Sequence, residues 1–208
     1  HPHGGQPLRA AGRPLAEADS ALILLHGRGA TAESILDLVD YLPRPGMTYL
    51  APQAAQQTWY PLSFLSPLAQ NEPYLSSALW RVGEVMAQVE AAGIPAERTF
   101  LGGFSQGACL AAEYAARHAR RYGGLLLFSG GLIGPPGVAR DYAGSLAGTP
   151  VFLGCSDVDP HIPLARVEET AEVLRRLGAI VDLRIYPRMG HTINQDEIEG
   201  AGAVVSKQ

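Results

Sequence analysis

The stretch Thr99-Phe100-Leu101-Gly102-Gly103-Phe104-Ser105-Gln106-Gly107-Ala108-Cys109-Leu110-Ala111-Ala112 changes character twice. Residues 99–102 read as a short apolar strand. Residues 103–107 fit G-x-S-x-G. From about 107 to 120 the chain reads as a helix rich in Ala108, Ala111, Ala112, Ala115 and Ala116. In a chain this rich in glycine the bare motif arises easily by chance, so its placement carries the weight. A serine between a strand and a helix sits where a nucleophile elbow needs it. There the backbone at Ser105 is expected to be strained, and Gly103 and Gly107 let strand and helix pass without side-chain collision. The small side chains beyond suit a centrally placed helix that other elements approach closely.

Outward from this stretch the same alternation repeats. Apolar runs at 21–25, 47–51, 124–128, 151–154 and 181–186 read as further strands, most of them too continuous to have a wet face. Leu75, Leu79, Val82, Val85, Met86 and Val89 recur at helical spacing up to Gly93 and Pro95. Leu164, Val167, Ala171, Leu174 and Leu177 do so between Pro163 and Gly178. Alternating strands and helices predict a doubly wound, mostly parallel α/β sheet with helices on both faces, whose ligands bind at the carboxyl ends of the strands. With no linker and no repeat, residues 1–208 are expected to form one domain, 1–18 being an N-terminal extension or an edge strand.

Composition agrees with a single covered sheet. The chain has 24 Gly and 16 Pro, about a fifth of its 208 residues, and only 17% charged residues against about 25% in an average domain. The net charge of −4, with no basic run, argues against a nucleic-acid partner. The longest apolar run, 21–25, is far short of the roughly 20 residues of a membrane span, and the default expectation is a cytoplasmic protein. Cys109 and Cys155 have no CxxC spacing and read as buried free thiols rather than as a disulfide or metal site. The segment 52–74 lacks periodicity and interleaves Trp59, Tyr60, Phe64, Leu65 and Leu68 with Pro61, Pro67 and Pro73. It is expected either to line the substrate side as a wall or lid or to cover the sheet edge, and its apolar face offers a homodimer contact.

A serine hydroxyl needs a base, and the base an orienting acid, each in a loop after a later strand. The run 181–186 is followed by Pro187-Arg188-Met189-Gly190-His191. Of the six histidines, His1 and His3 are assigned to a frayed terminus, His118 to a solvated helix end and His161 to a pocket wall. His26 precedes the elbow. His191 is therefore the base. The run 151–154 is followed by Cys155-Ser156-Asp157-Val158-Asp159, and spacing alone does not separate Asp157 from Asp159 as the acid. Donors for a developing oxyanion are expected from the amide of Gln106, next after the serine, and from the amide of Arg28 in the turn Leu25-His26-Gly27-Arg28-Gly29. The same turn fits the G-x-G-x-x-A dinucleotide fingerprint. The second strand, however, runs into Ala51-Pro52-Gln53 without the carboxylate a ribose needs.

Together, Leu25-His26-Gly27-Arg28-Gly29, Gly103-Phe104-Ser105-Gln106-Gly107, Asp157-Val158-Asp159-Pro160-His161-Ile162-Pro163 and Gly190-His191 resemble the phospholipase/carboxylesterase family of α/β-hydrolases, which includes acyl-protein thioesterases. The resemblance runs from about 21 to 191. It implies an α/β-hydrolase fold without a large cap, and Asp159, immediately before Pro160, as the acid, with Asp157 structuring the loop. It also implies the Arg28 and Gln106 amides as oxyanion donors. The expected activity is that of a serine carboxylesterase on small-molecule esters of small or medium acyl chains, with no metal or organic cofactor. Acyl-protein thioesterase or lysophospholipase activity is the alternative, and a catalytically silent binding protein the rival of another class. Trp59, Tyr60, Phe64 and Leu65 are the expected substrate pocket, with His161 in its wall. Arg28 stands where the thioesterases commonly carry a hydrophobic residue, and its side chain is expected to pair with a carboxylate or to bias the pocket toward a polar group.

Overall fold

In a computed structural model of the chain, which describes residues 1–206, the quoted stretch forms the middle of the molecule; residues 207–208, the end of the expected domain, lie outside the described residues. Strand β4 (Thr99–Phe104) runs into helix α3 (Gln106–Arg117) through Ser105. Around it lie β1 (Leu8–Gly12), β2 (Ser20–Leu25), β3 (Met47–Pro52), β5 (Gly124–Phe128), β6 (Pro150–Ser156) and β7 (Ile180–Tyr186). They form one seven-stranded sheet in the order β1-β3-β2-β4-β5-β6-β7. Only β1, paired with β3, is antiparallel. Its sequence, Leu8-Arg9-Ala10-Ala11-Gly12, is half-exposed and short, so no hydrophobic pattern marks it.

Helices α1 (Ala32–Leu36) and α5 (Gln195–Ser206) cover one face, while α2 (Tyr74–Ala91), α3 and α4 (Leu164–Arg176) cover the other. Each central strand is divided between two cores. Ala21, Ile23 and Leu25 pack with Val82, Val85, Ala111 and Ala115, whereas Leu22 and Leu24 pack with Ile35, Phe128, Phe152 and Val204. A strand with both faces buried needs apolar residues at every position, which is why β2 and β5 read as unbroken runs. β7, at the far edge, is only partly buried. No helix among the described residues is long and apolar enough to cross a membrane.

The amino terminus departs from expectation. His3 is fully buried rather than frayed. Its backbone N–H donates to Ser77 Oγ, its ring accepts from the Ala55 N–H at 3.0 Å, and its Nε2 lies 2.9 Å from the Trp59 carbonyl. His1 stacks on Trp80, the ring centroids 4.3 Å apart. Burial lowers the His3 imidazole pKa, consistent with a neutral ring that both donates and accepts. Helix α3 also ends at Arg117, short of the expected 120, because Ala119 turns away to bridge Gly144.

Candidate active site

Ser105 sits at φ 55° and ψ −118°, a conformation that costs a non-glycine residue about 1–3 kcal/mol and persists only where its surroundings impose it. The surroundings are backbone. The Ser105 N–H donates to the Phe128 carbonyl of β5 at 2.9 Å, and the Ser105 carbonyl accepts from the Cys109 N–H at 3.0 Å. The flanking glycines leave no room for a Cβ. At Gly103 it would lie 2.5 Å from the Leu25 carbonyl oxygen, and at Gly107 only 1.9 Å from the same atom. Beyond letting β4 and α3 pass each other, these glycines let the helix start against the carboxyl end of β2.

The loops after β6 and β7 bring two further side chains to the serine. The Ser105 hydroxyl lies 2.8 Å from His191 Nε2, and His191 Nδ1 lies 2.6 Å from Asp159 Oδ2. The other carboxylate oxygen, Oδ1, accepts from the His161 and Ile162 amides at 2.8 and 2.9 Å. Burial pushes the Asp159 carboxyl up, but the bonds from His191 and the two amides outweigh it and hold the group below the usual carboxylate range. An ionised Asp159 fixes a proton on Nδ1 and leaves Nε2 free to accept from Ser105. Asp157 does different work. Its Oδ1 accepts from the Arg188 N–H at 2.7 Å and its own N–H donates to the Tyr186 carbonyl, tying the acid loop to the His191 loop.

The turn after β2 lies against the elbow, since a Cβ on Gly27 would come within 3.6 Å of Ser105 Cβ. The Ala30 N–H closes the turn on the Gly27 carbonyl, and Gly29, at φ +76°, takes the left-handed position. The Arg28 amide, second in this turn, and the Gln106 amide, first in α3, have no backbone acceptor among the described residues. The Arg28 side chain meets no carboxylate among the described residues, contrary to one of its two expected uses. It donates instead to Thr58 Oγ1 at 3.1 Å and to the Pro61 and Leu62 carbonyls at 2.8 and 2.7 Å. The Gln106 side chain grips the same segment, accepting from the Trp59 N–H at 2.8 Å and donating to the Tyr60 carbonyl at 2.8 Å.

A cleft of about 460 Å³ opens over Ser105. Tyr60, Phe64 and His161 line it, as expected, together with Pro61, Leu62, Phe104, Cys109 and Ile162, which sequence reasoning passed over. Phe104 carried a signal as the variable residue of the elbow motif, and its ring lies 4.8 Å from that of His191. Trp59 and Leu65 are not among the lining residues. Trp59 is fully buried in the core and donates Nε1–H to the His26 carbonyl, and Leu65 packs against the same core. The Tyr60 hydroxyl is buried beside the Cys109 thiol. Cys109 and Cys155 are free, and burial pushes both thiols up to about 12, so they stay protonated near neutrality. Among the described residues no group of three or more His, Cys, Asp or Glu side chains is arranged to hold a metal ion.

The family model described as Phospholipase/Carboxylesterase matches residues 12–207. A solved phospholipase/carboxylesterase of Dyadobacter fermentans is 45% identical, with a TM-score of 0.94 over 98% of this chain and 97% of that one. Acyl-protein thioesterase 1 of Eremothecium gossypii is 27% identical, the match spanning 96% of this chain and 92% of the relative. The Bacillus cereus carboxylesterase, 21% identical, shares the fold with a TM-score of 0.75 over 98% of this chain and 95% of its own.

Proposed function

The chain belongs to the phospholipase/carboxylesterase family of ester-bond hydrolases, and from that premise we propose that it works through Ser105, His191 and Asp159 on carboxylic esters of small or medium acyl chains. The observation that carries this reading is the unbroken hydrogen-bonded path from the Ser105 hydroxyl through His191 to Asp159, at 2.8 and 2.6 Å. Ser105 Oγ attacks the acyl carbonyl as His191 Nε2 takes its proton. Asp159, held ionised, stabilises the imidazolium that forms. The tetrahedral intermediate's oxyanion takes hydrogen bonds from the Arg28 and Gln106 amides, and His191 returns the proton to the departing alkoxide. Water, activated by His191, then releases the acid from the acyl-enzyme. No step calls for a metal or an organic cofactor.

Support for the acyl-chain range comes from the cleft lining, where Tyr60 and Phe64 belong to the buried core. A thioester would run through the same steps with a better leaving group. The test is a pair of variants assayed on p-nitrophenyl butyrate. Asp159→Asn should lower kcat by about 10⁴ because the imidazole loses its tautomer, whereas Asp157→Asn should stay within about tenfold of the parent. A reversed outcome would exchange the two roles, and a folded wild type without esterase or thioesterase turnover would overturn the reading.

A further inference from the structure

Among the described residues, Arg28 is the one Lys or Arg lining the cleft, and no Asp or Glu lines it. Its three hydrogen bonds all end on neutral oxygens. Nη1 donates to Thr58 Oγ1 and the Pro61 carbonyl, and Nη2 to the Leu62 carbonyl. Nε makes none of these bonds and Nη2, with two hydrogens, makes one, so the guanidinium keeps donors for a further acceptor such as a carboxylate. Elsewhere in this chain Arg184 turns its Nε and Nη2 to a carboxylate, both at Asp182 Oδ2, at 3.2 and 2.9 Å. Arg28 thus holds the wall at residues 58–62 with Nη1 and Nη2 while its charge meets no carboxylate among the described residues.

The guanidinium stands at the cleft, bonded to the carbonyls of Pro61 and Leu62, which line it. In a chain of net charge −4 this makes the cleft a local positive site, a setting that draws in anions. We propose that Arg28 is a specificity residue and that the preferred esters carry a carboxylate on the part of the molecule that lies along residues 58–62. The proposal rests on Ser105 being the nucleophile.

The test compares kcat/KM for methyl hydrogen succinate and for methyl pentanoate, a neutral ester of similar length, by measuring released methanol at low and high salt. The anionic ester should be favoured by at least about fivefold at low salt, and the ratio should shrink as salt screens the charge. Arg28→Gln should bring the ratio to about one and Arg28→Lys should restore part of it, since lysine keeps the charge without the fork. Both variants will slow both esters, because the Arg28 side chain also holds the wall; the ratio is the readout. A wild-type ratio at or below one at low salt, or a ratio unchanged in Arg28→Gln, overturns the proposal while leaving the catalytic reading standing. Failure to turn over either ester, with Ser105 also inert to a fluorophosphonate, overturns both.

Discussion

Residues 99–107 and residues 53–64 meet at Ser105, and they are held in place by different means. The elbow is fixed by backbone: β4 lies between β2 and β5, and the Leu25 carbonyl fills the space where Gly103 or Gly107 would carry a Cβ. The wall has almost no regular structure and, besides backbone bonds at Gln53, Gln57 and Phe64, is pinned by side chains reaching from afar. His3 takes Ala55 and Trp59, and His26 Nε2 accepts from the Ala54 N–H. Gln106 takes Trp59 and Tyr60, Arg28 takes Pro61 and Leu62, and Asn71 takes Leu62 and Ser63. The Ser105 hydroxyl is thus placed by the sheet, while the cleft wall is held largely by side-chain anchors. Such a division lets the wall change without disturbing Ser105.

If the elbow is as tight as this, Gly107→Ala is the most damaging change in the comparison. A methyl 1.9 Å from the Leu25 carbonyl cannot be absorbed by a rotamer shift. The variant should be insoluble or destabilised by more than about 3 kcal/mol, read as a drop in Tm of more than about 6 °C. A variant with near-parental Tm would mean that the helix start has slack.

The His191 loop is a third case, anchored at its far end by α5. Glu197 Oε2 accepts from the Asn194 N–H while Asn194 Oδ1 accepts from the Glu197 N–H, a reciprocal cap. Glu197 is fully buried, and burial pushes its carboxyl up to about 7. The folded chain therefore holds a proton at Glu197 that the unfolded chain releases near pH 4.5, so the Glu197 contribution to stability falls as pH rises from about 4.5 to about 7, by about 1.4 kcal/mol for each pH unit within that window. Glu197→Gln keeps the cap and should remove this slope. Denaturant titrations across that pH window check it, and parallel slopes for parent and variant would contradict it.

Gln106→Ala tests the wall with the smallest expected effect. It unpairs the Trp59 N–H and removes one of two donors to the Tyr60 carbonyl, which keeps Thr58 Oγ1, but leaves the residue 106 amide in place. Stability should fall by about 1–3 kcal/mol, and KM should rise more than kcat falls. A loss confined to kcat would show that the side chain does something other than hold the wall.

The same contrast explains what is legible in the sequence. The six parallel strands, α2, α4 and the start of α3 announce themselves because burial on two faces or one writes a period into the residues. The serine and its partners are legible because each follows such a strand. β1 and α5 carry weak patterns: the first is half-exposed, and the second mixes Gly200, Gly202 and buried Glu197 into its sequence. The position of Trp59 is illegible for another reason. Whether an aromatic in an irregular segment faces a cleft or the core depends on hydrogen bonds to residues as distant as His3, Asn71 and Gln106, and no local spacing encodes those. His3 escapes a sequence reading for the same reason, being held from Trp59 and Ser77 rather than by its neighbours.

The central claim is that Ser105 is the group the fold prepares for attack, and covalent labelling reads it directly. After incubation of the folded protein with a fluorophosphonate, peptide mass spectrometry should find one adduct, on Ser105, lost in Ser105→Ala and strongly slowed in Asp159→Asn. A folded protein left unlabelled, or labelled at another residue with Ser105 free, would contradict the account.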